Sequence, residues 1–141
     1  MANALYSKAK EGFLNAAIDM NTATIKASLV DGYTPNLSTH EFVSDVTGAG
    51  GSLTSTVTLG TITITNGAFD AADATWTSVA GGATPNYILI YQASAVTGGA
   101  DVAASAQRVI ALIDTSTGVT LPVTTNGGNI TATWGANIFS L

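Results

Sequence analysis

The sequence predicts a mainly β fold: a β-sandwich or a jelly-roll-like, partly open barrel of about eight short strands, with an N-terminal helix or arm. Three observations predict it. From Ser52 onward, short runs alternate apolar residues with Thr, the pattern of strands with two unlike faces. Turn signals built from Gly, Asn and Pro recur about every 8 to 12 residues. Helical spacing is confined to the first residues, and neither a heptad run nor a fixed-period repeat is present. The organisation expected is a helical arm over residues 1–20 and a single β domain over 21–141.

The elements follow in order. Leu5, Ala9 and Phe13 recur at i, i+4 and i+8, with Tyr6 and Leu14 alongside, so the first segment reads as a helix that Asn3 can cap. It is either an amphipathic helix packed on its own domain or an arm that docks on a partner. Thr24 to Val30 alternates, is rich in β-branched residues and ends at Asp31-Gly32, hence a strand. Tyr33-Thr34-Pro35-Asn36 is a turn, Thr39 can cap a single helical turn through Phe42 and Val43, and Gly48 to Gly51 is a flexible loop. Leu53 to Leu59 and Thr61 to Thr65 alternate with Thr, and Asn66-Gly67 signals a type I′ turn. Thr75 to Val79 carries Trp76. Tyr87 to Gln92 and Arg108 to Asp114 are the most apolar runs and belong in the centre. The Ala-rich stretch Ala93 to Ala106 is a loop or short helix. Ile130 to Trp134 and Ile138 to Leu141 are the last strands.

Composition narrows the function. Charged residues make up 9% of the 141 residues, against about 25% in an ordinary soluble domain. A folded monomer of this mass exposes roughly 6,700 Å², which leaves roughly one charge per 500 Å². Thr, Ser, Asn and Gly take the place of charge, and much of the 46% hydrophobic content is Ala. Such a surface is easily desolvated and suits a protein packed against neighbours. Net charge is −5 with four Lys and Arg, too few cations to cluster on nucleic acid. No apolar core of a leader precedes Lys8, Lys10 and Glu11, and no run approaches the roughly 18 apolar residues of a membrane span. Neither a nucleic-acid nor a membrane partner is expected.

Chemistry-bearing patterns are sparse. The absence of Cys excludes disulfides, thiolate metal sites and Cys nucleophiles. His40 is the one imidazole. It lies in the polar run Ser38-Thr39-His40-Glu41 and reads as a solvated surface residue, since no nucleophile elbow accompanies it. Asp70 and Asp73 fall within one turn and could hold a cation or act as an acid–base pair, but Asp is equally a turn-forming residue. Phosphate-binding loops are absent, and Gly48-x-Gly50-Gly51 lacks the strand–helix setting of a dinucleotide site. Asn36-Leu37-Ser38 and Asn129-Ile130-Thr131 match the glycosylation sequon, and are expected to be chance matches without a leader. Trp76 and Trp134 sit in alternating strands and are expected in the core. No catalytic residue, cofactor or metal is expected, and an enzyme is not the reading.

A set of segments in fixed order carries a resemblance. These are Met1 to Tyr6 with Lys8 and Phe13-Leu14; Thr24 to Asp31; Tyr33-Thr34-Pro35-Asn36; and Phe42 to Asp45. Phe69 to Asp73 precedes a Trp-bearing strand, and Leu112 to Thr115, Leu121-Pro122-Val123, Asn126 to Ile130 and Trp134 to Phe139 follow. In this order the sequence resembles a family of small tailed-bacteriophage virion proteins, nearly end to end. The resemblance implies a head decoration, or cement, protein: a homotrimer on the outer surface of the phage head that bridges major capsid protein subunits, passing through the host cytoplasm during assembly. It supplies no catalytic residues. Lys and Arg are scarcer here than the family leads one to expect, which leaves open how far the capsid contacts are apolar. Tyr6, Phe13 and Leu14 are the candidate partner contacts, because aromatic and large apolar residues dominate such interfaces. The alternatives are a tail or neck component of the virion, and a secreted carbohydrate-binding or adhesive β module.

Overall fold

The computed structural model describes residues 3–96 and 98–141. Met1 and Ala2, which open the expected arm, and Thr97, in the expected Ala-rich connection, lie outside the described residues. The elements in order are β1 (Ala4–Leu5), α1 (Ser7–Leu14), β2 (Thr24–Asp31), α2 (Val43–Gly48), β3 (Ser52–Thr58), β4 (Thr63–Thr65), β5 (Ala68–Asp70), β6 (Ala74–Trp76), β7 (Tyr87–Ser94), β8 (Arg108–Ile113), β9 (Ile130–Ala132) and β10 (Phe139–Ser140). The protein is mainly β. Its strands form open sheets, β1-β8-β7-β2-β3, β10-β5-β4 and β6-β9, in a sandwich-like arrangement, with no closed barrel among the described residues.

The most apolar runs take the centre. β7 is flanked by β2 and β8, and Ile88, Leu89 and Ile90 are all fully buried, so both faces of the main sheet are covered. Register sorts the faces. Leu29, Ile88 and Ile113 form one row and Ala27, Ile90 and Ala111 the next on the same face, whereas Ser28, Leu89 and Leu112 look the other way. Burying each of these Ile or Leu side chains contributes about 1.5–3 kcal/mol. Trp76 of β6 is fully buried, and its Nε1–H donates to Ala27 O at 3.1 Å. Trp134 is also in the core, its Nε1–H donating to Ala72 O at 3.0 Å. Both indoles therefore lie where the strand pattern puts them.

The amino end departs from the expected arm. β1 pairs with β8, setting Ala4 against Leu112 and Leu5 against Ala111. Tyr6 N–H donates to Ile110 O at 3.0 Å, and α1 packs on β8. Residues 3–14 are thus built into the domain. Asn3 does not cap the helix: its Oδ1 accepts from Asp114 and Thr115 N–H and its Nδ2 donates to Thr115 O, which clips the chain end to the turn after β8. The helix starts after Tyr6, which has no capping side chain.

The second helix also starts later than the Thr39 cap suggests. Asp45, three residues past Phe42, accepts the Glu41 and Phe42 N–H groups at 2.8 and 2.9 Å, so the first turn is closed by its own carboxylate. The helix ends at Gly48, and the chain doubles back through Gly50 at φ +88°, against Gly32 at φ +70°. A Cβ on either would stand 3.0 Å from the other's carbonyl oxygen, so this close crossing requires glycine at both places. Asn66 and Gly67, at φ 51° and 80°, form the left-handed pair expected of a type I′ turn between β4 and β5. β7 runs on to Ser94, and no regular element follows it among the described residues before β8.

Candidate functional surface

The candidate surface is an apolar strip where three separate parts of the chain meet. Phe13, near the end of α1, stacks on Phe139 of β10 with ring centroids 6.2 Å apart, and Phe139 stacks on the buried Phe69 of β5 at 5.2 Å. This aromatic row ties the helix to the small sheet. Backbone bonds complete the tie: Phe139 is registered against Phe69, Ile138 N–H donates to Phe69 O, and Leu141 N–H donates to Gly67 O. The last residues are therefore held against the β4–β5 turn.

Large apolar side chains stand outside this row. Leu14 is 90% exposed, Leu141 71% and Ile64 51%. Leu5, Lys10, Phe13, Leu14, Ser140 and Leu141 line a groove of about 440 Å³. Met20, Ile64, Phe69 and Phe139 line an adjoining hollow that shares Phe13 and Leu141 with it. Among the described residues, Lys10 is the one charged side chain lining either concavity. A single exposed Leu needs no explanation, but several converging on a supported groove mark a contact surface.

The three expected contact residues separate here. Leu14 is the most exposed large apolar residue named above, and Phe13 is half-buried beside it. Tyr6 is fully buried. As a surface contact it is corrected by the pairing of β1, which alternates Leu5 outward from one face of the sheet and Tyr6 into the core. Tyr6 Oη lies 2.9 Å from Tyr33 Oη, and Tyr33 Oη lies 2.6 Å from His40 Nδ1. Burial raises the Tyr6 phenol far above its ordinary value, and the bond to Tyr33 raises it further. Burial also raises Tyr33. Both phenols stay protonated at neutral pH, so the chain Tyr6–Tyr33–His40 joins α1 to the turn before α2. His40 is half-buried and bonded, not the freely solvated residue expected.

Leu141, Ile64, Phe139 and Met20 were not singled out by the sequence. The signal was present only at Ile138 to Leu141, an apolar run at the end of the chain; Ile64 shares a face with Phe69 and is exposed because β4 is the outer strand of its small sheet. The Asp73 carboxylate is tied to the backbone of the segment after β9: its Oδ1 accepts the Trp134 N–H at 3.0 Å. Among the described residues no three His, Asp or Glu side chains converge, and no helix is long and apolar enough to cross a membrane.

Charge is sparse, and most of the cations are paired within the chain. Lys8 binds Glu11 at 2.7 Å, Lys26 binds Asp101 at 2.6 Å and Arg108 binds Glu41 at 2.6 Å. Three of the four cations are thereby engaged within the chain. No protein-family model, curated protein or solved structure matches this chain.

Proposed function

We propose that this chain is a bacteriophage capsid decoration (cement) protein, which binds the outer surface of the head and bridges major capsid protein subunits as a homotrimer. The observation that carries the reading is the apolar strip of Phe13, Leu14, Ile64, Phe139 and Leu141, held rigid by an aromatic row and almost free of charge. A bridge on a shell must hold against outward pressure and across ionic conditions. Apolar contacts are not screened by salt, whereas exposed ion pairs are. A trimer multiplies modest contacts through avidity. The order of sequence segments that resembles small phage virion proteins supports the same reading.

A tail or neck component would use the same surface and differs in ring symmetry. The carbohydrate-binding alternative loses its two strongest aromatics, since Trp76 and Trp134 are both buried. Imaging of expanded tailed-phage heads incubated with the protein tests the reading. Added density at threefold or quasi-threefold positions is expected. Density confined to a six- or twelvefold ring at a neck or tail would refute decoration.

A further inference from the structure

β3 is the outermost strand of the main sheet and, among the described residues, pairs only with β2. Leu59 N–H donates to Ile25 O at 2.9 Å, so the alternation of the antiparallel ladder turns the N–H and C=O of Thr56 and Thr58 away from β2. Both residues are exposed, and among the described residues no other backbone group pairs with theirs. β6 packs near β3 without pairing to it. Free edges are normally guarded by Lys, Pro, a bulge or a cover. β3 reads Ser-Leu-Thr-Ser-Thr-Val-Thr, with neither charge nor Pro. Its bulge faces Leu29 and Val30, and leaves the stretch from Ser55 to Thr58 in regular register.

We propose that this edge is completed by β3 of a second copy, running antiparallel about a two-fold axis at Val57. Thr56-Val57-Thr58 reads the same in both directions. The axis therefore sets each Thr56 against a Thr58 and Val57 against Val57, and the outward groups of the four Thr bond across the junction. Thr–Thr and β-branched pairs are favourable across strands. Charge favours the same place. Two chains of net charge −5 repel, and none of the residues between Asp45 and Asp70 is charged. The row across the junction runs from Lys26 through Thr58 to Thr56 and Ser28 of the second copy, so no like charges meet. The pairing goes beyond shell binding and does not depend on it.

The test is light scattering of the whole protein over a concentration series, with amide hydrogen exchange at each concentration. The mass is expected to double with concentration, from 14.1 kDa or from whatever assembly is present when dilute. The Thr56 and Thr58 amides are expected to slow by at least about tenfold as it doubles. Thr58→Pro removes an outward N–H at a position where an edge strand tolerates Pro. Val57→Lys sets two cations at the axis. Both are expected to abolish the doubling, with circular dichroism unchanged from the parent. Doubling that survives both variants, or Thr56 and Thr58 amides unprotected at every concentration, would overturn the pairing. Protection of these amides only on bound heads would also overturn it, by assigning the edge to a strand of the shell.

Discussion

Substitution at Tyr6 tests whether the amino end is part of the core or an arm. The ring is fully buried, and its hydroxyl makes a 2.9 Å bond to Tyr33 Oη. Tyr6→Phe keeps the ring and removes the bond. Tyr33 keeps His40 Nδ1 at 2.6 Å, so no buried hydroxyl is orphaned. The cost expected is then that of one net hydrogen bond, about 1 kcal/mol, or about 3–5 °C in melting temperature for a chain of this size. Tyr6→Ala also empties an aromatic site and costs about 3–5 kcal/mol, a large share of the roughly 5–15 kcal/mol that holds a domain folded. Urea unfolding followed by the fluorescence of the buried Trp76 and Trp134 measures both. A Tyr6→Ala variant within about 0.5 kcal/mol of the parent, yet deficient in head binding, would place Tyr6 on a surface and refute the docking of α1.

Further outcomes follow from the same contacts. Leu14→Asp and Leu141→Asp alter exposed side chains, so each should leave stability within about 0.5 kcal/mol of the parent. If the strip seats on the shell, each should weaken binding by up to about 30-fold, the equivalent of about 2 kcal/mol for one buried Leu; titration of heads with labelled protein reads this. Gly51→Ala should destabilise by about 1–3 kcal/mol in denaturant melts, because its Cβ would stand 2.7 Å from both Val46 O and Val46 Cγ1. Gly48→Ala meets nothing within 4 Å and should be neutral or slightly stabilising in the same melts. Asp45→Ala should cost about 1 kcal/mol at neutral pH through the lost cap. The Glu41 and Phe42 N–H groups hold the Asp45 carboxyl below its ordinary value. A lowered folded value stabilises above the unfolded value and is lost as pH falls through the folded one. The gap between Asp45→Ala and the parent should therefore close as the pH drops below about 4, measured by urea melts at stepped pH.

The legible parts of the fold are those that single faces of the chain determine. β2, β7 and β8 were readable because burial on one or both faces leaves an alternating or continuous apolar run. The type I′ turn at Asn66-Gly67 was readable because few residues take two successive left-handed conformations. β1 and β5 were not, since Leu5 falls in a helix-spaced segment and β5 runs into the pair Asp70 and Asp73, which reads as a turn. The caps were misread for a related reason. Asn3 and Thr39 have the right chemistry for capping, but Asn3 is captured by the Asp114–Thr115 turn, and the helix expected at Thr39 begins three residues later on an acid inside its own first turn. Tyr6 and Phe13 look alike as aromatic residues of one helical segment. Only the pairing of β1 with β8 decides that Tyr6 turns inward while Phe13 joins the surface row. The contact strip is likewise assembled from residues more than 100 positions apart, which no local pattern connects.

Co-sedimentation with expanded, undecorated tailed-phage heads at low and high ionic strength tests the central claim most directly. Saturable binding at a fixed number of trimers per head is expected, with occupancy unchanged between about 0.1 and about 0.5 M salt, because the contact strip is apolar and salt screens only charges. Failure to co-sediment, or occupancy that collapses across that range, would contradict an apolar cement on the outer shell.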